Sequence, residues 1–159
     1  MTALTSDRLV DLVGVEPQGF IAGNVAVNGA SGTQFYQGQL IMMGSDGLVS
    51  PAATGGRATG SVCVGVCQQT SFLVTSTNPL PLGYLSIRFG TVDMSNDSGN
   101  PVTSSTLLNT LLFAVDDNTV SLSSANGTRC VAGRLRGFNS GDQFPVLVAV
   151  GLTPSGSTV

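Results

Sequence analysis

The chain has 159 residues, which suits a single domain with a substantial hydrophobic core. Only 9% of the residues are charged, against about 25% in ordinary soluble domains. Lysine is absent and the net charge is −3, which speaks against a general nucleic-acid binder, because such proteins need clustered cations to neutralise phosphates. So few charges favour a protein whose surface faces other protein molecules.

Residues 1–20 differ from the rest and are predicted to form an arm, either a short helix or an extended segment. Leu9, Leu12 and Val13 share one face at helical spacing, and Gly14 would end such a helix. A helix this short is marginal on its own. We therefore expect these three apolar side chains to contact a partner surface.

No apolar run in the sequence approaches the roughly 18–20 residues that span a bilayer. Residues 1–8 lack the basic and then apolar pattern of a signal peptide. We therefore expect synthesis in a cytoplasm and no membrane association. Cys63, Cys67 and Cys130 should then be reduced, buried thiols, and the four-residue spacing of the first two predicts that they share one face of a strand.

Residues 21–152 carry β signals throughout. Apolar and polar residues alternate around Val25 and Ile87, turn signals recur at short intervals, and the chain contains 21 glycines. This pattern predicts one all-β domain, a small β-barrel or β-sandwich. Periodicity does not decide between a helical turn and a strand for residues 106–112, and residues 153–159 are a polar tail.

An internal repeat organises this β region. Residues 40–50 and 111–121 each read as an apolar strand, an Asp-containing turn and a second apolar strand. A glycine-centred strand follows each, around Gly65 and Gly133, and a closing β run follows in turn. We therefore predict a single domain built from two similar β units.

The composition removes most catalytic and metal-binding arrangements. Without histidine or lysine the chain has no Ser-His-Asp or Cys-His group, Schiff base, Walker loop or histidine-ligated zinc. The acidic stretch at residues 93–99 resembles a calcium loop only superficially, because Ser104 stands where the loop needs a glutamate. Asp116 and Asp117 read as a hairpin turn. We expect no enzymatic activity, no cofactor and no metal.

Arg134 and Arg136 flank Leu135 and should face one way on a strand. They are candidate contacts with carboxylates of the same subunit or of a neighbour. The alternative, equally consistent with the pattern, is a pair of solvated arginines that contributes little.

The order of these motifs resembles the head-decoration, or capsid cement, proteins of tailed bacteriophages. The family pattern is a strand of the form y-x-G-x-l-v, a hairpin d-x-x-G-x-v-x-p-a and a strand v-i-G-v-a. Residues 35–40, 44–52 and 64–66 follow it, and residues 85–90, the turn at 117–118 and residues 131–134 continue it. The resemblance covers about residues 33–151. The N-terminal region, residues 1–32, is longer than that of the short form of the family.

The resemblance implies a non-enzymatic structural protein on the exterior of a phage head. It implies a homotrimer that binds the major capsid protein and stabilises the shell. Leu9, Leu12, Val13, Arg134 and Arg136 are then the candidate contacts with the capsid or a neighbouring subunit. The alternative from the sequence is a carbohydrate- or receptor-binding β-domain of a phage fibre or tail, which the absence of tryptophan and the presence of only two tyrosines disfavour.

Overall fold

A computed structural model describes residues 23–28, 32–44, 47–52, 61–74, 84–138 and 146–150. For residues 23–28, 84 and 146–150 the description is of the backbone alone. The predicted arm, with Leu9, Leu12 and Val13, and the predicted polar tail at residues 153–159 lie outside the described residues.

The described residues form strands, turns and loops, with no helix among them. The strands are β1 Gly23–Asn28, β2 Gln34–Phe35, β3 Leu40–Met43, β4 Val49–Pro51, β5 Val62–Cys67, β6 Phe72–Leu73, β7 Tyr84–Asn96, β8 Leu111–Ala114, β9 Thr119–Ser121, β10 Val131–Phe138 and β11 Val146–Val150. The all-β prediction is confirmed. Residues 106–112, which the sequence left open, are a turn followed by β8.

Nine of the strands belong to one mostly antiparallel sheet, and β2 pairs with β6 in a small second sheet. The main path runs β11-β10-β8-β9-β7-β5-β3-β4, with β1 paired to β7 at one side. The sequence left a β-barrel and a β-sandwich open, and this sheet is not a closed barrel. The 13-residue strand β7 carries it onward from β9 and β11 to β5 and β1, so that it ends at β4 rather than closing.

The two halves of β7 serve different neighbours. Residues 84–89 pair with β1 and, at two positions, with β5. Residues 90–94 pair with β11, and residues 95–96 pair in parallel with β9. We call β1, β3, β4, β5 and residues 84–89 the first unit, and residues 90–96 with β8, β9, β10 and β11 the second unit.

The hairpin and third strand of the two units pair in corresponding register, whereas the parallel pairing of β9 with β7 occurs in the second unit alone among the described strands. In the hairpin of the first unit Met43 lies opposite Val49, and in that of the second Ala114 lies opposite Val120. These pairs occupy corresponding places in the two repeated segments. The third strand joins each hairpin in antiparallel fashion, β5 to β3 and β10 to β8.

The third strand of each unit has a register shift at the same place. Ile41 pairs with Gly65 and Leu112 pairs with Gly133, and one residue before each glycine has no partner in the ladder. Such a β-bulge bends a strand and reverses which face its later side chains point to. The two units therefore share this bulge as well as their regular pairing.

The correspondence extends to the strands that follow, residues 84–89 in the first unit and β11 in the second. It therefore goes beyond the segments that are alike in sequence. Cys67 lies opposite Ile87, as Leu135 lies opposite Val148. Strand β1 pairs with residues 84–89 in the register in which residues 90–94 pair with β11. Strand β1 is thus the counterpart of the second half of β7, and β7 contributes one strand to each unit.

The bulge at Gly65 corrects the prediction for the cysteines. Cys63 lies in one hydrophobic cluster with Leu40 and Val66, whereas Cys67 lies in another with Ile41. Because the bulge shifts the alternation by one residue, the two thiols point to opposite faces of β5 rather than to the same face. All three cysteines are buried thiols, as predicted.

Two hydrophobic clusters hold the fold together. The interior of the first unit, which includes Phe35, Ile41 and Val49, forms one cluster. The second cluster joins the interior of the second unit to the outward side of β3 and β5. Strands β3 and β5 are therefore buried on both sides, as their nearly continuous apolar sequence requires.

Candidate interaction face

Corresponding positions of the two units differ in exposure on their outward side. In the first unit this side is fully buried against the second unit and consists of Leu40, Met42, Cys63 and Val66. In the second unit the matching residues are only half-buried. They are Leu111, Phe113, Val131 and Arg134, which we call the outer face.

Strand geometry explains how the outer face arises. Leu112 and Ala114 point into the core, so that Leu111 and Phe113 between them point away from it. Val131 lies opposite Phe113 on the neighbouring strand, and Arg134 lies opposite Leu111. Three apolar side chains and one arginine are thereby presented together on two paired strands.

Arg134 is held in place by a main-chain contact. Its Nη1 donates a hydrogen bond of 3.0 Å to the carbonyl oxygen of Asn109, rather than to the carboxylate that the sequence suggested. Leu135, next to it, is fully buried, so Arg134 points away from the core. Arg136 is half-buried at the register shift that precedes Gly137, where β10 departs from regular alternation.

A tight turn beside the outer face exposes two leucines. Leu107 and Leu108 are 79% and 66% exposed, the highest values among the large apolar side chains described. The N–H of Thr110 and its hydroxyl both donate to the carbonyl oxygen of Leu107, at 3.3 and 2.6 Å. Asn109 has a φ of 71°, a value that asparagine tolerates better than most residues. We call this the leucine turn.

The leucine turn is anchored to β10 and has a counterpart in the first unit. Asn109 N donates to Leu135 O at 2.7 Å, and Leu135 N donates to Thr110 O at 2.9 Å. Residues 36–39 make the same bonds to Cys67, with Gly38 at a φ of 87°. The backbone of the turn therefore belongs to the repeated fold, whereas its exposed leucines belong to the second unit alone.

An ion pair between the buried Asp97 and the half-buried Arg129 joins the loop after β7 to the loop before β10. Asp97 is 4% exposed and accepts a 3.0 Å hydrogen bond from Gly99 N, and Arg129 Nη1 lies 3.6 Å from its Oδ2. Burial by itself raises the pKa of Asp97. The hydrogen bonds from Gly99, Ser121 and Asn100 and the charge of Arg129 together outweigh burial and hold that pKa below its usual value.

The acidic residues that the sequence analysis considered as possible sites have structural roles within the described residues. Asp116 and Asp117 form the β8–β9 hairpin turn, as predicted. Asp117 Oδ2 accepts a 2.7 Å hydrogen bond from Gln39 Nε2, and Asp116 Oδ1 accepts one of 2.9 Å from Asn118 N. Within the described ranges, no three His, Cys, Asp or Glu side chains lie close enough together to hold a metal ion. No helix in that same part of the chain is long and apolar enough to cross a membrane.

Of the predicted contact residues, Arg134 lies on the outer face and Arg136 two residues further along β10. The sequence missed Leu107 and Leu108, although two adjacent leucines before a Thr-bounded turn are a visible signal of an exposed apolar site. No family model matches the chain, and neither does any curated protein or solved structure.

Proposed function

We propose that this chain is a capsid decoration protein, a non-enzymatic structural protein that binds the exterior of a phage head and stabilises the shell. In this proposal it acts as a homotrimer, and its partner is the major capsid protein. It is made in the host cytoplasm and works on the virion.

The observation that carries the proposal is the outer face with its leucine turn. A half-buried apolar surface beside two leucines exposed by 79% and 66% fits a protein that works by covering other protein. The rarity of charged residues, at 9% of the chain, fits the same use, because surface charge normally keeps proteins apart. The order of motifs that resembles decoration proteins gives this surface its assignment.

A shell offers many identical sites, which suits a small binding surface. Weak contacts repeated over a particle accumulate into stable attachment, because each bound subunit raises the effective concentration of the next contact. Bound protein that spans neighbouring capsid subunits stabilises the shell by mass action, since it binds the assembled state alone.

The test is binding of the purified chain to expanded heads assembled from the major capsid protein of the same phage. We expect the chain to co-sediment with expanded heads at a fixed ratio and to raise the temperature at which the heads break. Binding to tails or fibres, with none to heads, would support the receptor-binding alternative and contradict this proposal.

A further inference from the structure

The internal duplication identifies a surface through which copies of this chain associate. We propose that the outer face, formed by Leu111, Phe113, Val131 and Arg134, packs against the leucine turn of a second copy. This inference rests on the homotrimer of the proposed function and names the surface that forms it.

The two units pair alike in their hairpins and third strands, yet they differ in what covers their outward sides. The outward side of the first unit is buried against the second unit within the same chain. The corresponding side of the second unit is half-exposed and still carries three apolar residues out of four. A position that is apolar in both units but covered in only one is the position that a further copy of the fold would cover.

The leucine turn is the surface that the second copy presents to the outer face. Leu107 and Leu108 are presented on a turn whose backbone is fixed by two hydrogen bonds to Leu135. A rigid turn loses little conformational entropy when its side chains are buried. The turn and the outer face are different surfaces, so a turn that packs on the face of another copy makes a head-to-tail contact. Such contacts close into a ring when the rotation permits.

The charge on the outer face is compatible with burial of that face. Arg134 is the sole charged residue of the outer face, and its guanidinium already donates to Asn109 O at 3.0 Å. An arginine with this partner keeps a hydrogen bond when a second copy excludes water from the face. Burial of the face therefore leaves this guanidinium with a partner of its own.

The test compares a double variant with a matched control in sedimentation velocity from 1 to 100 μM. Leu107→Asp with Leu108→Asp places two charges in the proposed contact at residues that are exposed in one copy. Leu73→Asp places a charge at a leucine that is 49% exposed on β6, in the other sheet. Circular dichroism establishes that both variants remain folded.

We expect the wild-type protein and Leu73→Asp to form the same oligomer, and the double variant to dissociate at concentrations at least tenfold higher than the wild type. A wild-type monomer throughout the range overturns the inference, and so does a double variant that associates like the wild type. Parallel co-sedimentation with heads separates the two proposals. A monomer that still binds heads contradicts the self-association surface and leaves the decoration function standing, whereas an oligomer that does not bind heads does the reverse.

Discussion

At the scale of single residues, Gly65 shows how the bulge of the first unit restricts the sequence. Its φ is +142°, and a Cβ there would overlap the carbonyl oxygen of Arg88 and lie 3.0 Å from the carbonyl carbon. Backbone atoms of a paired strand cannot move aside without disturbing the sheet. Glycine is therefore required by both the conformation and the space.

We predict that Gly65→Ala lowers the free energy of unfolding by about 3 kcal/mol or more, since backbone strain and overpacking add. Gly127→Ala is the control, because Gly127 has a φ of +80° but no neighbouring atom within 4 Å of its Cβ position. It should lose only the conformational part, about 1–2 kcal/mol. Urea unfolding measures both, and equal losses would show that the Arg88 contact is unimportant.

Asp97 gives the protein a specific dependence on acid. Its pKa is lowered in the folded state, so its contribution to stability is present above the unfolded value of about 3.9 and is lost as the pH falls through the folded pKa. We expect Asp97→Asn to reduce the dependence of unfolding free energy on pH between about 2 and 5. Denaturant unfolding at several pH values measures this slope. An unchanged slope in the variant would contradict the lowered pKa of Asp97.

At the scale of elements, a buried side-chain contact joins the two units. Gln39, 3% exposed, donates to Asp117 of the second-unit hairpin at 2.7 Å and accepts from Tyr36 N at 2.7 Å. Because the bond to Asp117 is buried and the bond from Tyr36 is partly buried, their loss is more costly than that of an exposed bond. The hairpin of the second unit is thereby fixed to the start of β3.

Gln39→Ala should therefore destabilise the protein by about 1.5–3 kcal/mol, because the carboxylate of Asp117 is a charged acceptor. Gln34→Ala is the matched control, since the amide of Gln34 bonds the hydroxyl of Ser71 at 3.0 Å in an exposed position. Its loss should stay within about 0.5 kcal/mol. Thermal and urea unfolding of the two variants would contradict the proposed link if their losses were alike.

The loop before β10 contains three successive residues with positive φ. The values are 48° at Ala125, 58° at Asn126 and 80° at Gly127, and the N–H groups of Gly127 and Arg129 both donate to Ser124 O at 3.1 Å. An alanine in this conformation is strained, because its Cβ crowds the following carbonyl oxygen.

We expect Ala125→Gly to stabilise the protein by about 0.5–1 kcal/mol, the relief of strain less the entropy cost of glycine. Ala125→Val should destabilise it, because a β-branched residue fits this conformation worse than alanine does. The measurement is the urea midpoint of each variant. A lower midpoint for Ala125→Gly would show that the turn is not strained at this position.

The sequence predicts these elements well where one hydrogen-bonding pattern dominates. The hairpin at Asp116 and Asp117 follows from local turn chemistry and alternation, and the buried cysteines follow from their apolar neighbours. The bulge at Gly65 could not be read from periodicity, because a strand with or without an extra residue has nearly the same composition. That one residue reversed the predicted relation of Cys63 to Cys67.

At the scale of the whole molecule, the repeat was visible in part of the chain and is more extensive in the structure. Strand β1 and the second half of β7 correspond in pairing, yet their sequences share little beyond a glycine and alternating apolar residues. Pairing depends on backbone hydrogen bonds, which tolerate many side chains. The outer face escaped prediction because exposure depends on how the units pack, which no local pattern records.

The sharing of β7 explains why two units make one domain. The first unit includes residues 84–89 of β7 and the second unit includes residues 90–96, so neither unit is complete without β7. One hydrophobic cluster also spans both units. The repeat in the sequence did not decide between a barrel and a sandwich. The long strand directs its hydrogen bonds to both units and leaves the sheet open at β4.

The central claim, that this chain decorates a phage head, is tested most directly by a density map of the assembled particle. We predict density on the outer surface of the head, in groups of three copies. Each copy should fit the two β units, with its outer face turned toward a neighbouring copy. A head with no such density, or density for the chain only at the tail or fibres, would contradict the account.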